Sequence, residues 1–158
     1  MASEISDEEI EQQDNINQPE SESGFAAIHW SCHYGQLNTT EKLLECGSNP
    51  NHLATNYISP LHLAAAFGHH EIVRLLITRG AKVNQMDISG NTPLHYAAAS
   101  NFPHSTNEIL SQTQAVDVML ENEDGKTAYH LAIENKAHLA QAVIENFIMN
   151  VLNDEAKL

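Results

Sequence analysis

Basic residues are scarce in this chain. Only 7 of its 158 residues are Lys or Arg, against 21 Asp and Glu, so the formal net charge at pH 7 is −14. Proteins that bind nucleic acid through phosphate contacts carry clustered positive charge. We therefore expect no direct binding to nucleic acid and, for the same reason, no binding to an acidic membrane surface.

Cysteines and long apolar runs are also few. The two cysteines, Cys32 and Cys46, indicate no disulfide framework. No apolar stretch is long enough to cross a membrane, and no hydrophobic signal segment follows Met1. These features predict a reducing intracellular compartment, cytoplasmic and/or nuclear, and no membrane association.

A sequence repeat accounts for most of the chain. Residues 59–65 read Ser-Pro-Leu-His-Leu-Ala-Ala and residues 92–98 read Thr-Pro-Leu-His-Tyr-Ala-Ala. Weaker copies occupy residues 26–32 and 127–133, so the repeated histidines are His29, His62, His95 and His130. A period of about 33 residues predicts a stacked solenoid, which offers a long surface for binding rather than a closed pocket.

Each copy contains signals for two helices. A hydroxyl residue before proline, as in Ser59-Pro60, caps a helix start, and Gly68 supplies the left-handed conformation that ends the helix. Apolar residues at helical spacing then precede a second glycine, Gly80. Each unit is predicted to be a helix, a tight turn, a second helix and a hairpin-like loop, which makes the fold all-α.

The pattern over roughly residues 24 to 150 resembles the ankyrin repeat. The resemblance implies an ankyrin-repeat solenoid over residues 24–158, with repeats at about 24–53, 54–86, 87–121 and 122–152. It also implies that the repeat histidines bond across the first helix and between neighbouring units. Asn51 and Asn84 are implied to bond the loop backbone, and Asn84 is a hypothetical site of hydroxylation.

The other three copies depart from the pattern. The first has Ala26-Ala27 in place of the hydroxyl residue and proline, so we expect its helix cap to be weaker. The third has Asn101 in place of the turn glycine, Ser105 and Thr106 in place of apolar residues, and two extra residues near 113–114, so we expect it to be the loosest unit. The fourth lacks a closing glycine, and its last helix is predicted to continue through Leu152 and cap the stack.

The first 23 residues form a separate segment. They hold eight acidic residues and no basic residue, and they are poor in apolar side chains. Such a composition predicts an acidic, disordered tail. The alternative is a regulatory arm that docks on a basic partner or is phosphorylated at Ser3, Ser6, Ser21 or Ser23.

No signature of catalysis or cofactor binding occurs in the sequence. It contains no glycine-rich phosphate loop, nucleophile elbow or zinc-protease helix. His29, Cys32 and His33 have helical spacing suited to zinc, but the repeat assigns the first two to packing and no fourth ligand is near in sequence. We predict no catalytic residue, no metal site and no cofactor.

Members of the family usually bind other proteins through loop tips and the exposed, concave face of the first helices. The resemblance transfers this role to thirteen positions. They are Phe25, His33, Tyr34, Asn56, Tyr57, Ile58, Phe67, Ile88, Asn91, Ser100, Lys126, Glu134 and Asn135. Tyr34 and Phe67 occupy equivalent positions in neighbouring units and predict an aromatic stripe, to which Tyr57 adds.

Two functions fit these features. The first is a small monomeric adaptor or inhibitor that binds a protein partner with a basic surface. The size is similar to that of ankyrin-type inhibitors of cyclin-dependent kinases, and the acidity to that of inhibitor-of-NF-κB-like proteins, so kinase and transcription-factor regulation both stay open. The alternative is an obligate subunit of a larger complex that docks through exposed apolar residues of the last helix, Phe147, Ile148, Met149 and Val151.

Overall fold

Eight α-helices form four pairs in the part of the chain that the structure describes. The structure is a computed structural model that describes residues 16–19, 22–111 and 115–157. The helices are α1 (Ala27–His33), α2 (Leu37–Glu45), α3 (Pro60–Ala66), α4 (His70–Thr78), α5 (Pro93–Ala99), α6 (Pro103–Ser111), α7 (Ala128–Glu134) and α8 (His138–Ala156), with a short 3₁₀ turn at Thr55–Tyr57. The predicted all-α solenoid is confirmed.

The helices stack in two rows. The first helices α1, α3, α5 and α7 pack side by side, and the second helices α2, α4, α6 and α8 form the adjacent row. Each first helix carries fully buried small residues, such as Ala64 and Ala97, which let neighbouring helices approach closely. The larger core side chains, including Leu61, Leu76 and Ile109, fill the space between the rows.

Hydroxyl side chains cap the first helices of three units. The side chains of Ser59, Thr92 and Thr127 each accept a hydrogen bond from the backbone N–H three residues later. Ala26 stands at this position in the first unit and makes no side-chain cap bond. The first helix of the first unit therefore lacks the side-chain cap of the other three, as its sequence predicted.

The repeat histidine ties each unit to the next. In His29, His62 and His95, Nδ1 accepts the backbone N–H of the residue three before it, at 3.1 Å. The Nε2 atoms lie 3.1, 2.9 and 2.9 Å from the carbonyl oxygens of Ile58, Asn91 and Lys126 in the following unit. The bonding implied for the repeat histidines is confirmed for these three, whereas His130 of the last unit bonds Thr127 at the start of its own helix.

Tight turns join the two helices of each unit. Gly68 has φ +74°, and a Cβ atom there would lie 2.5 Å from the ring of Phe102, so both conformation and space require glycine. Asn101 takes the same left-handed conformation, with φ +58°. Its Oδ1 accepts bonds from the backbone N–H groups of Leu139 and Ala140, which start α8.

Asparagines link the loops that follow the second helices. Asn51 donates to the Gly80 carbonyl and accepts from the Lys82 N–H, at 3.0 and 2.8 Å. Asn84 bonds Ala115 and Asp117 in the same way, at 2.7 and 3.0 Å. Both loop roles implied by the resemblance are confirmed, whereas hydroxylation of Asn84 stays a prediction.

Part of the predicted tail also contacts the repeats. Asn17 donates to the Gly47 carbonyl and accepts from the Asn49 N–H, so it repeats the role of Asn51 one unit earlier. The Thr55 N–H donates to the carbonyl of Ser23. The rest of the tail, at residues 1–15, 20 and 21, lies outside the described residues, and so do Ser3, Ser6 and Ser21.

The third unit buries polar groups where the second buries apolar ones. Ser105 and Thr106 are fully buried, and Ile109 and Leu110 provide the apolar contacts. Thr106 donates to the Phe102 carbonyl at 2.8 Å, but the hydroxyl of Ser105 has no partner among the described residues. Glu108 is buried and bonded by the guanidinium of Arg74 in α4. The two extra residues near 113–114 lie outside the described part.

The last helix ends the stack. At 19 residues α8 is twice as long as the 9-residue second helices before it, as the missing glycine predicted. Phe147 and Ile148 are half-buried against the core, which corrects the expectation that both are exposed, while Met149 and Val151 are exposed. Within the described residues, no helix combines the length and apolar character needed to cross a membrane.

The unpaired Ser105 hydroxyl makes a prediction about stability. Ser105→Ala removes a buried group that lacks a hydrogen-bond partner, so we expect the free energy of unfolding to rise by about 1 kcal/mol. Urea denaturation followed by circular dichroism measures the change. The control is Thr106→Ala, which loses the hydrogen bond from the Thr106 hydroxyl to the Phe102 carbonyl and should lower stability by about 1–2 kcal/mol. A Ser105→Ala protein less stable than the wild type would contradict the analysis.

The repeat histidines predict acid sensitivity. Burial lowers the pKa of His29 from its usual value to about 4, and it also lowers the pKa of His62 and of His95. The unfolded chain therefore binds protons near pH 6.5 that the folded protein does not bind. The contribution of these histidines to the free energy of unfolding should be fully present above pH 6.5. It should fall as the pH drops toward 4, by up to about 1.4 kcal/mol per pH unit for each histidine.

Urea denaturation between pH 7.5 and pH 5 tests this expectation. His62→Asn should be less stable than the wild type at pH 7.5 but show a smaller loss on acidification. A wild-type stability that stays constant over this range would contradict the assignment of neutral, buried imidazoles.

Candidate protein-binding surface

The exposed ends of the first helices carry one equivalent residue per unit. Tyr34, Phe67, Ser100 and Asn135 are the C-caps of α1, α3, α5 and α7, and all four are exposed. Tyr34 is 65% exposed and Phe67 is 47% exposed. The solenoid thus presents two aromatic residues in its first two units and two polar residues in its last two.

An aromatic cluster connects the first two units. His33 lies between Tyr34 and Phe67, with ring centroids 4.7 and 4.4 Å away and both contacts edge-on. Trp30 stacks on Tyr34 with an interplanar angle of 17° and a centroid distance of 6.1 Å. Phe25 contacts Trp30 at 4.9 Å. We call these five residues, Phe25, Trp30, His33, Tyr34 and Phe67, the aromatic cluster.

The cluster corrects one expectation and adds one residue. His33 was expected to be exposed, but it is half-buried because Trp30, Tyr34 and Phe67 surround it, and its Nδ1 has no hydrogen-bond partner in the described chain. Trp30 was not among the predicted site residues, although it is the only tryptophan in the chain. The sequence signal that could have identified Trp30 was its position one residue after the repeat histidine His29.

The loop tips carry the remaining candidates of the first three units. Asn56, Tyr57 and Ile88 are exposed, and both Asn56 and Tyr57 have positive φ, at 62° and 59°. Ile58 and Asn91 are half-buried. Their carbonyls accept the bonds from the repeat histidines His29 and His62, so these two positions are fixed mainly by packing.

The candidates of the fourth unit are polar. Lys126 and Glu134 form an ion pair at 2.8 Å, and the pKa of Lys126 is raised because of the hydrogen bond to Glu134. Asn135 donates to the Leu131 carbonyl within its own helix. The pair is exposed, so it contributes little to stability and leaves this end of the surface polar.

Titratable groups do not converge in the described part of the chain. No group of three or more His, Cys, Asp and Glu side chains suited to a metal ion occurs there. Burial raises the pKa of the Cys32 thiol to about 12, which leaves it an unreactive thiol. The phenol of Tyr96 donates to the buried carboxylate of Asp87, and its pKa is raised chiefly by burial.

The described residues form open grooves. One groove of about 700 Å³ lies along the loop after α4, between Ile77 and Met86, and reaches Ala115. Another, of about 390 Å³, lies beside Trp30 and Tyr34 and is also lined by Gln36, Thr39 and Leu43. Two residues of the aromatic cluster, Trp30 and Tyr34, thus form one wall of an open surface groove.

Comparison with known families agrees with this geometry. A family model described as ankyrin repeats (3 copies) matches residues 28–122. The chain belongs to the ankyrin-repeat family. Ankyrin repeats are generally non-catalytic modules for protein–protein interaction. A search of curated proteins found no match to this chain.

The exposure of Phe67 predicts a small cost of truncation in this ankyrin array. Phe67→Ala should lower the free energy of unfolding by about 1 kcal/mol, because half of the ring already faces water. Leu61→Ala in the same helix should cost about 2–5 kcal/mol, because Leu61 is buried in the core. Urea denaturation of both variants compares them. Equal losses would mean that Phe67 belongs to the core rather than to a binding surface.

Proposed function

We propose that this protein is a small intracellular adaptor or inhibitor that binds a protein partner through the concave face of its first helices and its loop tips. The observation that carries the proposal is the aromatic cluster of the first two units. Tyr34 and Phe67 are exposed, yet ring contacts to His33 hold them in place. Rigid, exposed aromatic side chains are the residues that most often dominate binding energy at protein interfaces.

Charge supports a partner with a basic surface. The net charge of −14 favours association with positively charged proteins and opposes binding to nucleic acid and to acidic membranes. The free thiols of Cys32 and Cys46 agree with a reducing cytoplasmic or nuclear compartment. In this proposal the protein is a monomer on its own and needs no cofactor.

Regulation of a kinase and regulation of a transcription factor both fit this proposal. The second unit has a first helix of 7 residues and a second helix of 9 residues, so it lacks the shortened helix of the cyclin-dependent-kinase inhibitors that the chain resembles in size. The acidity favours a basic DNA-binding domain as the partner.

The alternative function is that of an obligate subunit of a larger complex. Three exposed apolar residues near the end of α8, Met149, Val151 and Leu152, favour it. Exposed apolar side chains clustered on one helix end are typical of docking sites. In that case the isolated protein should self-associate, and Met149→Lys/Leu152→Lys should restore a monomer in size-exclusion chromatography.

Affinity capture from cells tests the adaptor proposal. The wild type is compared with Tyr34→Arg/Phe67→Arg and with a variant that lacks residues 1–15, which retains the Asn17 contacts. We expect the double substitution to abolish partner capture, because it places two charges on the aromatic cluster, and to leave the helical content unchanged. The matched control, Asn107→Arg/Asn146→Arg, places two charges at exposed positions of α6 and α8, outside the candidate surface, and should keep the partner.

The outcomes separate the binding elements. If the partner is lost only in the variant that lacks residues 1–15, the acidic segment is the binding element and the proposal is contradicted. Capture of the same proteins by the double variant and the wild type would also contradict it.

A further inference from the structure

We propose that the aromatic cluster and the groove beside it bind an arginine side chain of the partner protein. This inference rests on the proposed function and names the chemistry that the surface recognises. It is carried by the ring faces and the polar groups of the groove, and it is supported by the scarcity of cations in the segment that contains them.

The ring of Tyr34, which stacks on Trp30 and is 65% exposed, can receive a flat cation. Trp30 and Tyr34 are nearly parallel, with 17° between their planes. His33 supports Tyr34 edge-on at 4.7 Å and Phe67 at 4.4 Å, so the exposed rings are held in place before any ligand arrives. A cation within about 6 Å of an aromatic centroid is attracted by the negative face of the ring, most strongly by tryptophan.

The groove beside the rings supplies hydrogen-bond acceptors. Its volume is about 390 Å³, and its lining includes Gln36 and Thr39 together with the apolar Leu43. Gln36 and Thr39 are exposed, so their side-chain oxygens are open to N–H donors. A planar guanidinium stacks on aromatic faces and donates several N–H bonds at once, whereas the ammonium of lysine is a compact, strongly hydrated charge. The groove therefore favours arginine over lysine.

The scarcity of basic residues near the cluster in the sequence means that the partner must supply the cation. Residues 22–73, which include the cluster and the groove, hold four acidic residues and one basic residue, and the next basic residue, Arg74, pairs with Glu108 in the third unit. The single cation, Lys42, is exposed in the second helix, and the ranges 22–41 and 43–73 contain neither Lys nor Arg. The segment that carries the exposed rings thus has more acidic than basic residues and only one cation of its own.

The same face does not suit a further apolar helix. Ser31, Thr39 and Thr40 stand where the second unit has Ala64, Ile72 and Val73. The hydroxyls of Thr40 and Ser31 bond each other at 2.9 Å inside the unit. Thr39 is exposed on the groove, where an apolar neighbour would leave its hydroxyl without water. A single charged side chain with its own donors fits this wall better.

Trp30 provides a direct test because it is the only tryptophan. The full chain is titrated at pH 7.5 with a ten-residue Gly/Ser peptide that carries three arginines, and the fluorescence of Trp30 is recorded. Matched peptides carry lysine or citrulline at the same positions. We expect saturable binding of the arginine peptide, weaker binding of the lysine peptide, and about tenfold or greater loss with citrulline, which keeps the shape but not the charge.

Substitutions at Tyr34 separate ring chemistry from apolar contact. Tyr34→Phe retains the ring and should bind like the wild type, whereas Tyr34→Leu retains apolar bulk and should lose about tenfold in affinity. Circular dichroism checks that both variants keep their helical content. Wild-type affinity in Tyr34→Leu, or equal binding of the arginine and citrulline peptides, would overturn the proposal.

A variant of the full chain tests how much the acidic tail contributes to peptide binding. Glu8→Gln/Glu9→Gln/Glu11→Gln should weaken binding of the arginine peptide only modestly, because it reduces attraction at a distance but leaves the rings intact. Abolished binding in this variant would assign recognition to the tail and overturn the inference. Failure of the peptide to bind, with partner capture still lost in Tyr34→Arg/Phe67→Arg, would overturn the arginine assignment alone and leave the proposed function standing.

Discussion

The stack depends on one hydrogen-bonded arrangement, in which a buried neutral histidine connects each unit to the next. The backbone N–H at the helix cap donates to Nδ1, so the imidazole proton resides on Nε2 and points at a carbonyl of the following unit. The ring is therefore satisfied on both sides only while it is neutral, which agrees with the lowered pKa of His62. The histidines recur about every 33 residues because each unit returns the chain to an equivalent helix cap.

The two ends of the solenoid and its third unit show how this arrangement tolerates variation. The last unit places Tyr129 and Glu145 where the inner units have leucine or isoleucine, and the phenol donates to the carboxylate at 2.7 Å, which gives the stack a polar end. The third unit keeps its histidine and its cap while it buries Ser105 and Glu108. The neighbouring unit compensates by supplying Arg74 to Glu108. Uniform backbone bonding thus allows local side chains to diverge.

Freedom at the surface is what makes recognition possible in such a fold. The C-cap positions of the first helices differ in every unit, from Tyr34 to Asn135, because packing constrains the buried faces and not these. Only the first two units carry aromatic rings at these positions, and a segment with eight acidic residues, residues 1–22, precedes them in the chain. The proposed binding of a basic partner, and of arginine in particular, follows from this uneven distribution along an otherwise regular array.

The sequence by itself determined the all-α solenoid, the helix caps at Ser59 and Thr92 and the extended last helix, because these depend on local propensity and on a repeated period. It also placed Tyr34 and Phe67 at equivalent exposed positions. Only the tertiary structure brought Trp30, His33 and Phe67 together, because side-chain contacts between units depend on how neighbouring helices are rotated and spaced. For the same reason Asn17 was assigned to a tail, although its partners lie 30 and 32 residues away. Periodicity defines the units, but packing between units decides which surface they form.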